Sequence, residues 1–514
     1  MSRADRLPSP WTLLIALAGG FAAVGASYAV VGGTPAFVAT PISRGVTAVT
    51  PGAVITWAIQ NLGSLGQQGA FLGALVLTVG LFATIALAGI LAGRRFGTSD
   101  TGPRSPTALA LATTGVGSLA VAVLLVGPTA SALAAAVAGT AVVAVGVRGR
   151  RVVGAEPASV SRRRAIQAGI GGLAVAGIGS ALGRQAGRGT TTENDVADAT
   201  TANLLRIAED RTIPIAGIDG LLSGPGFYEV DINSVDPNLS ADDWTLSITG
   251  AVEAEAEVSY ADLRAYEPEH RFVSLRCVGE PLNGKKLDNA LWTGVPLVEV
   301  IEDATGHPLP DECCVMLRAD DDFYEEFPVS ALEDGFLAYG MDGARLPRGH
   351  GYPVRALIPG HWGEINVKWL TEIEILEDPA DGYWEKRGWH GTGPVETVAK
   401  LHAVNRLDDG RIEVAGHAYA GTRGISRVEV STDGGETWSD AELSARLPGA
   451  FRGGEQLRET AQDAWRQWHY VYEADEPHEV VVRATDAEGR LQPEEQRKSF
   501  PSGATGWVSQ QVEP

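Results

Sequence analysis

A thiol that ends an apolar run beside a cation is the pattern in this chain with the most chemistry in it. Cys277 follows the strand-like run 272–275 and Arg276, and precedes Val278, Gly279 and Glu280. A neighbouring cation favours thiolate, the form of cysteine that binds metals and attacks electrophiles. The other two cysteines, Cys313 and Cys314, are adjacent and open the apolar run 313–317, which reads as buried packing. Three cysteines with no Cys-x-x-Cys pair make a poor disulfide framework and no structural zinc site. All nine histidines lie at or beyond His270. The first 189 residues therefore cannot hold a haem between paired histidines, no Cys-x-x-Cys-His is present, and no haem is expected.

The elements that must position Cys277 belong to the second of two unlike parts. The 514 residues carry a formal net charge of −22, which argues against a nucleic-acid binder because phosphate backbones need a basic face. Residues 1–189 hold three acids (Asp5, Asp100, Glu156) and 14 arginines, whereas residues 190–514 hold the other 60 acids and 27 bases. Such an acid excess with only six lysines fits a protein kept hydrated in concentrated salt, as in a halophile. After a polar linker over 190–215, a strand-like run at 244–252 and helical candidates at 295–304 and 328–332 predict a mixed α+β domain over 216–394. Alternating segments at 411–417, 425–432, 437–443, 468–473 and 479–485 predict an immunoglobulin-like β-sandwich over 395–500, with 501–514 as a tail.

The first part reads as a multi-pass α-helical membrane region. Uncharged apolar stretches at 11–31, 69–92, 107–126 and 128–147, and a weaker one at 165–183, each approach the roughly 20 residues that cross a bilayer as a helix. Between the first two, 34–67 reads as an external loop with an interfacial piece around Trp57. Arginines gather before the first stretch, between the second and third, and between the fourth and fifth, so the positive-inside rule places the N-terminus in the cytoplasm. Five crossings then put the acidic part outside the cell membrane. The run Ser161-Arg162-Arg163-Arg164-Ala165-Ile166 also resembles a twin-arginine export signal, beside the plainer reading as positive-inside anchors.

Two blocks of the acidic part carry a family resemblance. One runs from Val273 through Cys277 to Glu280, with Asp288-Asn289-Ala290-Leu291-Trp292-Thr293-Gly294 after it; the other spans 337–360 and ends with Val367-Lys368-Trp369-Leu370. Both resemble the molybdenum-ligand and cofactor regions of the sulfite oxidase family, over about residues 227–499. The resemblance implies a sulfite-oxidase-type domain that binds molybdenum-molybdopterin, a pyranopterin dithiolene, with Cys277 as the protein's metal ligand. A soft thiolate suits a metal otherwise held by dithiolene sulfur. It also implies that His350, Arg355 and Lys368 contact the cofactor, that Phe227, Tyr228 and Asn233 line its pocket, and that Lys285 and Lys286 lie in a motif able to bind phosphate. Asp321 matches an acidic position near the active site, and Trp389 stands where those enzymes use a tyrosine near substrate. Asp231 stands near where animal and plant sulfite oxidases carry an anion-holding arginine, and a carboxylate there opposes a dianion. The sandwich matches the family's dimerisation domain and implies a homodimer.

Three function classes follow. The first is a membrane-anchored oxidoreductase transferring an oxygen atom on a small sulfur substrate such as sulfite, with an external electron carrier or membrane redox partner. The second is a sulfoxide reductase of the same fold, acting for example on oxidised methionine. The third is a non-enzymatic binding protein anchored in membrane lipid.

Overall fold

The computed structural model describes residues 8–62, 64–98, 102–153, 198–310 and 313–513. The chain forms two compact units: one from the described parts of 1–51, 62–192 and 231–238, the other from 52–61, 193–230 and 239–514.

The N-terminal unit is helical. Its elements are α1 (Pro10–Val31), α2 (Thr40–Val49), α4 (Ser64–Phe96), α5 (Pro106–Val126) and α6 (Ala130–Val153); α3 (Gly52–Leu62) groups with the second unit up to Asn61. Ser9 and Ser105 cap α1 and α5, accepting from the backbone N–H groups of Thr12 and Ala108, and a proline follows each cap. Helix α1 packs on α4 and α6, and α5 packs on the same two. Small residues let these backbones approach: a Cβ on Gly20 would collide with the carbonyl of Val79, and one on Gly89 would lie 2.9 Å from that of Ala110. Four helices are long and apolar enough to cross a membrane: Pro10–Val31, Gln68–Phe96, Pro106–Val126 and Ala130–Arg148. The fifth expected crossing and the arginine run at 161–166 lie outside the described residues.

Several expected boundaries move. The second helix extends past its apolar run through Gln67 and Arg95, because helix propensity continues where hydropathy stops. The external loop contains α2, and Trp57 sits exposed on α3. The linker expected over 190–215 contains helix α7 (Ala199–Arg211), started by a reciprocal capping box between Asp198 and Thr201.

The second unit is built on β-sheets. A five-stranded sheet runs in the order Ala256–Ser259, Thr245–Gly250, Leu370–Leu376, Cys314–Ala319, Tyr324–Pro328, with its one parallel pairing between Thr245–Gly250 and Leu370–Leu376. A second sheet centres on Glu269–Arg276, Leu287–Pro296 and Phe336–Met341. The helix Leu297–Thr305 packs its apolar residues Leu297, Val300 and Ile301 into the core shared by these elements. Beyond them, two antiparallel sheets, one around Ile412–Tyr419 and Arg466–Tyr472 and the other around Ile425–Ser431 and His478–Asp486, bury one common core that includes Val414, Val428, Trp468 and Val482. The expected tail supplies Val508–Val512, a strand paired with His478–Asp486 whose Val508 and Val512 turn inward. Cys313 and Cys314 are also not simple packing residues: they are joined to each other as a disulfide, with Cys313 exposed and Cys314 buried.

Candidate cofactor site

The strand Glu269–Arg276 delivers Cys277 to the start of a tight loop. Cys277 donates its backbone N–H to the carbonyl of Lys286 at 2.9 Å, and the loop between them is braced by Glu280. That carboxylate accepts from the backbone N–H of Lys286 at 2.8 Å, from Arg276 Nε at 3.1 Å, and from Lys400 Nζ. Lys400 also donates to the carbonyl of Gly284 at 2.8 Å. Burial works to raise the Glu280 carboxyl, but Lys400 and Arg276 outweigh it and hold it below its ordinary value; burial brings Lys400 down to about 8 against the pull of Glu280. Arg276 therefore does not serve the thiol. It is fully buried over the Trp362 ring and is spent on Glu280 and on the carbonyls of Glu396 and Ala504. Burial pushes the Cys277 thiol up, with Lys286 opposing, so a ligand or a cation must supply what keeps it ionised.

Cys277 is a half-buried free thiol, which leaves it available to a ligand. A Cβ on Gly279 would lie 3.8 Å from Cys277 Sγ, 3.6 Å from the Trp389 ring and 3.3 Å from Ile59 of α3, which places both side chains beside the sulfur. Trp389 is buried, edge-on to Trp384 and Phe500, and its indole Nε1 has no partner among the described residues.

A cationic group lies within electrostatic reach of Tyr228, as Cys277 does. Arg355 donates to the carbonyls of His350 at 3.1 Å and Asn366 at 2.9 Å and lies over the Trp292 ring, and Lys368 Nζ donates to the carbonyl of Gly349 at 2.8 Å. Gly351, at φ +110°, leaves no room for a Cβ between them, since one would lie 3.0 Å from Lys368 and 3.1 Å from Arg355. His350 is buried edge-on to Phe227; burial, then the charges of Arg355 and Lys368, lower it to about 3, so it is neutral. Tyr228 stacks on Phe227 and donates its backbone N–H to Asp288 at 2.9 Å. Burial raises its hydroxyl well above the ordinary value, the charge of Cys277 adds to this, and Arg355 opposes it, so Tyr228 lies within electrostatic reach of both ends.

Not every expected residue joins this group. Asp321 is buried in the turn before Tyr324–Pro328, where it accepts from the backbone N–H of Phe323 at 3.1 Å and acts electrostatically on Tyr383. Asp231 and Asn233 fall in the segment Asp231–Asn238, which groups with the helical unit rather than with Cys277. Three glutamates that the sequence did not single out, Glu325, Glu364 and Glu385, act on one another, and Glu364 among them acts on Cys277. Their signal was lost in a chain with 63 acidic residues.

A free soft donor at one end, cations and a neutral imidazole at the other, and aromatic walls between them fit a metal carried by an extended anionic organic ligand. That donor set defines a cofactor-dependent oxidoreductase. Residues 233–384 match the model of the oxidoreductase molybdopterin binding domain, and residues 395–506 match that of the Mo-co oxidoreductase dimerisation domain. The chain belongs to the sulfite oxidase family of molybdopterin-dependent oxidoreductases, and its cofactor is molybdenum-molybdopterin. It is 27% identical over 308 residues to the mitochondrial sulfite oxidase of Rattus norvegicus, covering 50% of this chain and 55% of that protein. It is 23% identical over 307 residues to sulfite oxidase of Arabidopsis thaliana, covering 49% and 77%, and 26% identical over 325 residues to the NADH nitrate reductase of Spinacia oleracea, covering 50% and 34%. The chain thus spans about half the length of the mitochondrial sulfite oxidases it matches. Family membership removes the non-enzymatic alternative.

Proposed function

We propose that this chain is a membrane-anchored oxidoreductase that transfers an oxygen atom on a small sulfur-containing substrate, in the manner of sulfite oxidation. The observation that carries the reading is a free, half-buried Cys277 together with the Arg355, His350 and Lys368 group, Cys277 and Arg355 both acting electrostatically on Tyr228. Cys277 would hold the metal, and Arg355 and Lys368 would hold the anionic part of the cofactor, with Tyr228 and Phe227 along its pocket. The cofactor supplies the oxygen-atom and electron transfer when bound. The chain's own part is to fix it: Glu280, through Lys400 and Arg276, locks the loop that carries Cys277, and neutral His350 offers a hydrogen bond without adding charge. Trp389 beside the sulfur would exclude water and shape the substrate pocket, with Asp321 positioning the turn against Tyr383.

In this reading the four apolar helices, and a fifth at 165–183, anchor the chain in the cell membrane with the N-terminus inside and the catalytic domain outside, after twin-arginine export. The C-terminal sheets, an immunoglobulin-like sandwich, would join two copies, and electrons would pass to an external carrier or a membrane partner. A sulfoxide reduced by the same cofactor is the second substrate reading; with Asp231 outside the Cys277 group, the departure from an anion-holding arginine at that position does not decide between them.

The test is turnover of the purified holoenzyme in both directions. Sulfite-dependent reduction of a one-electron dye supports the first reading, sulfoxide-dependent oxidation of reduced viologen supports the second, and neither activity in a molybdenum-loaded protein contradicts both.

A further inference from the structure

Glu325 is fully buried on the inward face of Tyr324–Pro328, Glu385 opens the turn Glu385–Arg387, and Glu364 lies in the turn Gly363–Ile365. Oxygens of Glu325 and Glu385 crowd the same point, the one a Cβ on Gly382 would take. Glu364 in turn crowds the corresponding point of Gly391, together with Val278, the residue after Cys277. Among the described residues, the buried carboxyl oxygens of Glu364 and Glu385 make no hydrogen bond of good geometry, although the Gly391 backbone acts on Glu364 and Glu385 lies within hydrogen-bonding reach of Glu325. Glu364 is more than nine-tenths buried, and the unpartnered indole of Trp389 lies two residues before Gly391. Glu325 accepts from the backbone N–H groups of Glu326 and Trp384, each at 3.4 Å.

The nearby cations are turned elsewhere. Lys386 Nζ donates to the Tyr324 hydroxyl at 2.9 Å, and Arg387 lies over the Tyr383 ring and donates to its carbonyl at 2.6 Å. Buried carboxylates without a counter-charge are driven to the neutral form. Burial, then hydrogen bonding and charge from Glu385, raise Glu325 to about 11; burial, then the charge of Glu385, raise Glu364 to about 8. The row has two ends. Glu364 acts on Cys277, while Glu385 acts on Glu326, which also feels exposed Asp381.

We propose that Glu364, Glu385 and Glu325 carry protons between the Cys277 site and solvent at the Tyr324 and Lys386 surface, a role that rests on the oxygen-transfer reading above. Oxidation of a substrate X by water, X + H2O → XO + 2 H+ + 2 e−, frees two protons, while its electrons leave singly to an external one-electron acceptor. Sulfoxide reduction runs the same balance backwards, taking two protons in and forming water. In either direction a carboxyl that rests neutral can release its proton outward and retake one from a water at the site, with bridging waters closing the gaps. The relay therefore serves both substrate readings.

The test uses the full-length holoenzyme and its Glu364→Gln, Glu325→Gln, Glu364→Asp and Glu377→Gln variants. Metal content, kcat against pH in H2O and D2O, and the infrared band of neutral carboxyl groups are measured for each. The expected result is a fall in kcat of about tenfold or more for each Gln variant at Glu364 and Glu325, with KM and metal content unchanged and a larger solvent isotope effect. Glu364→Asp recovers most of the rate, and Glu377→Gln, which removes an exposed carboxyl outside the row, stays within about twofold. The wild-type neutral-carboxyl band at neutral pH weakens in both Gln variants, a readout that needs no turnover. The relay is overturned by metal-loaded Gln variants within about twofold of wild type, or by a wild type without that band. A metal-loaded wild type that turns over no sulfur substrate overturns the oxygen-transfer reading first and the relay with it.

Discussion

The helical unit and the β-rich unit are packed by opposite rules. In the first, small and hydroxyl residues such as Ala22, Ala23, Ser27, Thr78 and Ser118 are buried, while Leu72, Val76, Val116 and Leu124 are exposed, Leu124 to 84%. In the second, Trp292, Trp362, Trp369, Trp389 and Trp468 are among the largest fully buried side chains, and the exposed surface is acidic. The difference is the one that a lipid-facing helical unit and a water-facing β-rich unit would show. Burying a leucine away from lipid gains little, so helices in a bilayer associate through close backbone contact and hydroxyl pairs such as Ser27 with Ser131 at 2.6 Å. In water the large side chains themselves drive the fold, and the polar groups buried with them, Glu280, Lys400 and Arg276, must be mutually satisfied.

The largest effect expected from disturbing this contrast is inside the second unit. Lys400→Met leaves Glu280 buried with one partner fewer and is predicted to cost about 3–5 kcal/mol in thermal unfolding of the second unit. Next, Val76→Arg on the outer face of α4 is predicted to add about 2.5–3.5 kcal/mol to membrane insertion, read as a loss of the carbonate-resistant membrane fraction. Val404→Arg, at a surface valine of the second unit that is 37% exposed against 70% for Val76, is predicted to change stability by no more than about 0.5 kcal/mol.

A smaller effect depends on pH. Glu364 is raised by burial to about 8 from an ordinary 4.5, so the folded chain holds its proton more tightly than the unfolded one. The stability this contributes is complete below about pH 4.5 and is lost as pH rises toward 8. Within that window the melting transition should weaken by at most about 1.4 kcal/mol per pH unit, and Glu364→Gln should flatten the slope. A small effect is also expected of Ser27→Ala, which removes one buried hydroxyl pair and is predicted to cost about 0.6 kcal/mol, measured by reversible unfolding in detergent or bilayer.

The sequence revealed what is local and missed what is assembled. The motifs around Cys277 and around His350, Arg355 and Lys368 stood out because each is contiguous. The long apolar helices were legible because each is an unbroken apolar run, although their ends were not, since Gln67 and Arg95 continue a helix as well as leucine does. Helix α7 was missed because its polar composition hides a start signal, the pair Asp198 and Thr201. Arg276 was assigned to the thiol by adjacency, yet neighbours along a strand point to opposite faces, and its guanidinium goes to Glu280. Glu325, Glu364 and Glu385 come together from three separate segments, which no local spacing could reveal.

The most direct test of the central claim is molybdenum and pterin per chain in the purified full-length protein and in Cys277→Ser. The account predicts close to one molybdenum and one pterin per wild-type chain, with metal lost or its spectroscopic signature changed in the variant while the fold is kept. A folded wild type that carries neither, or a variant with the same metal content and the same signature, would contradict it.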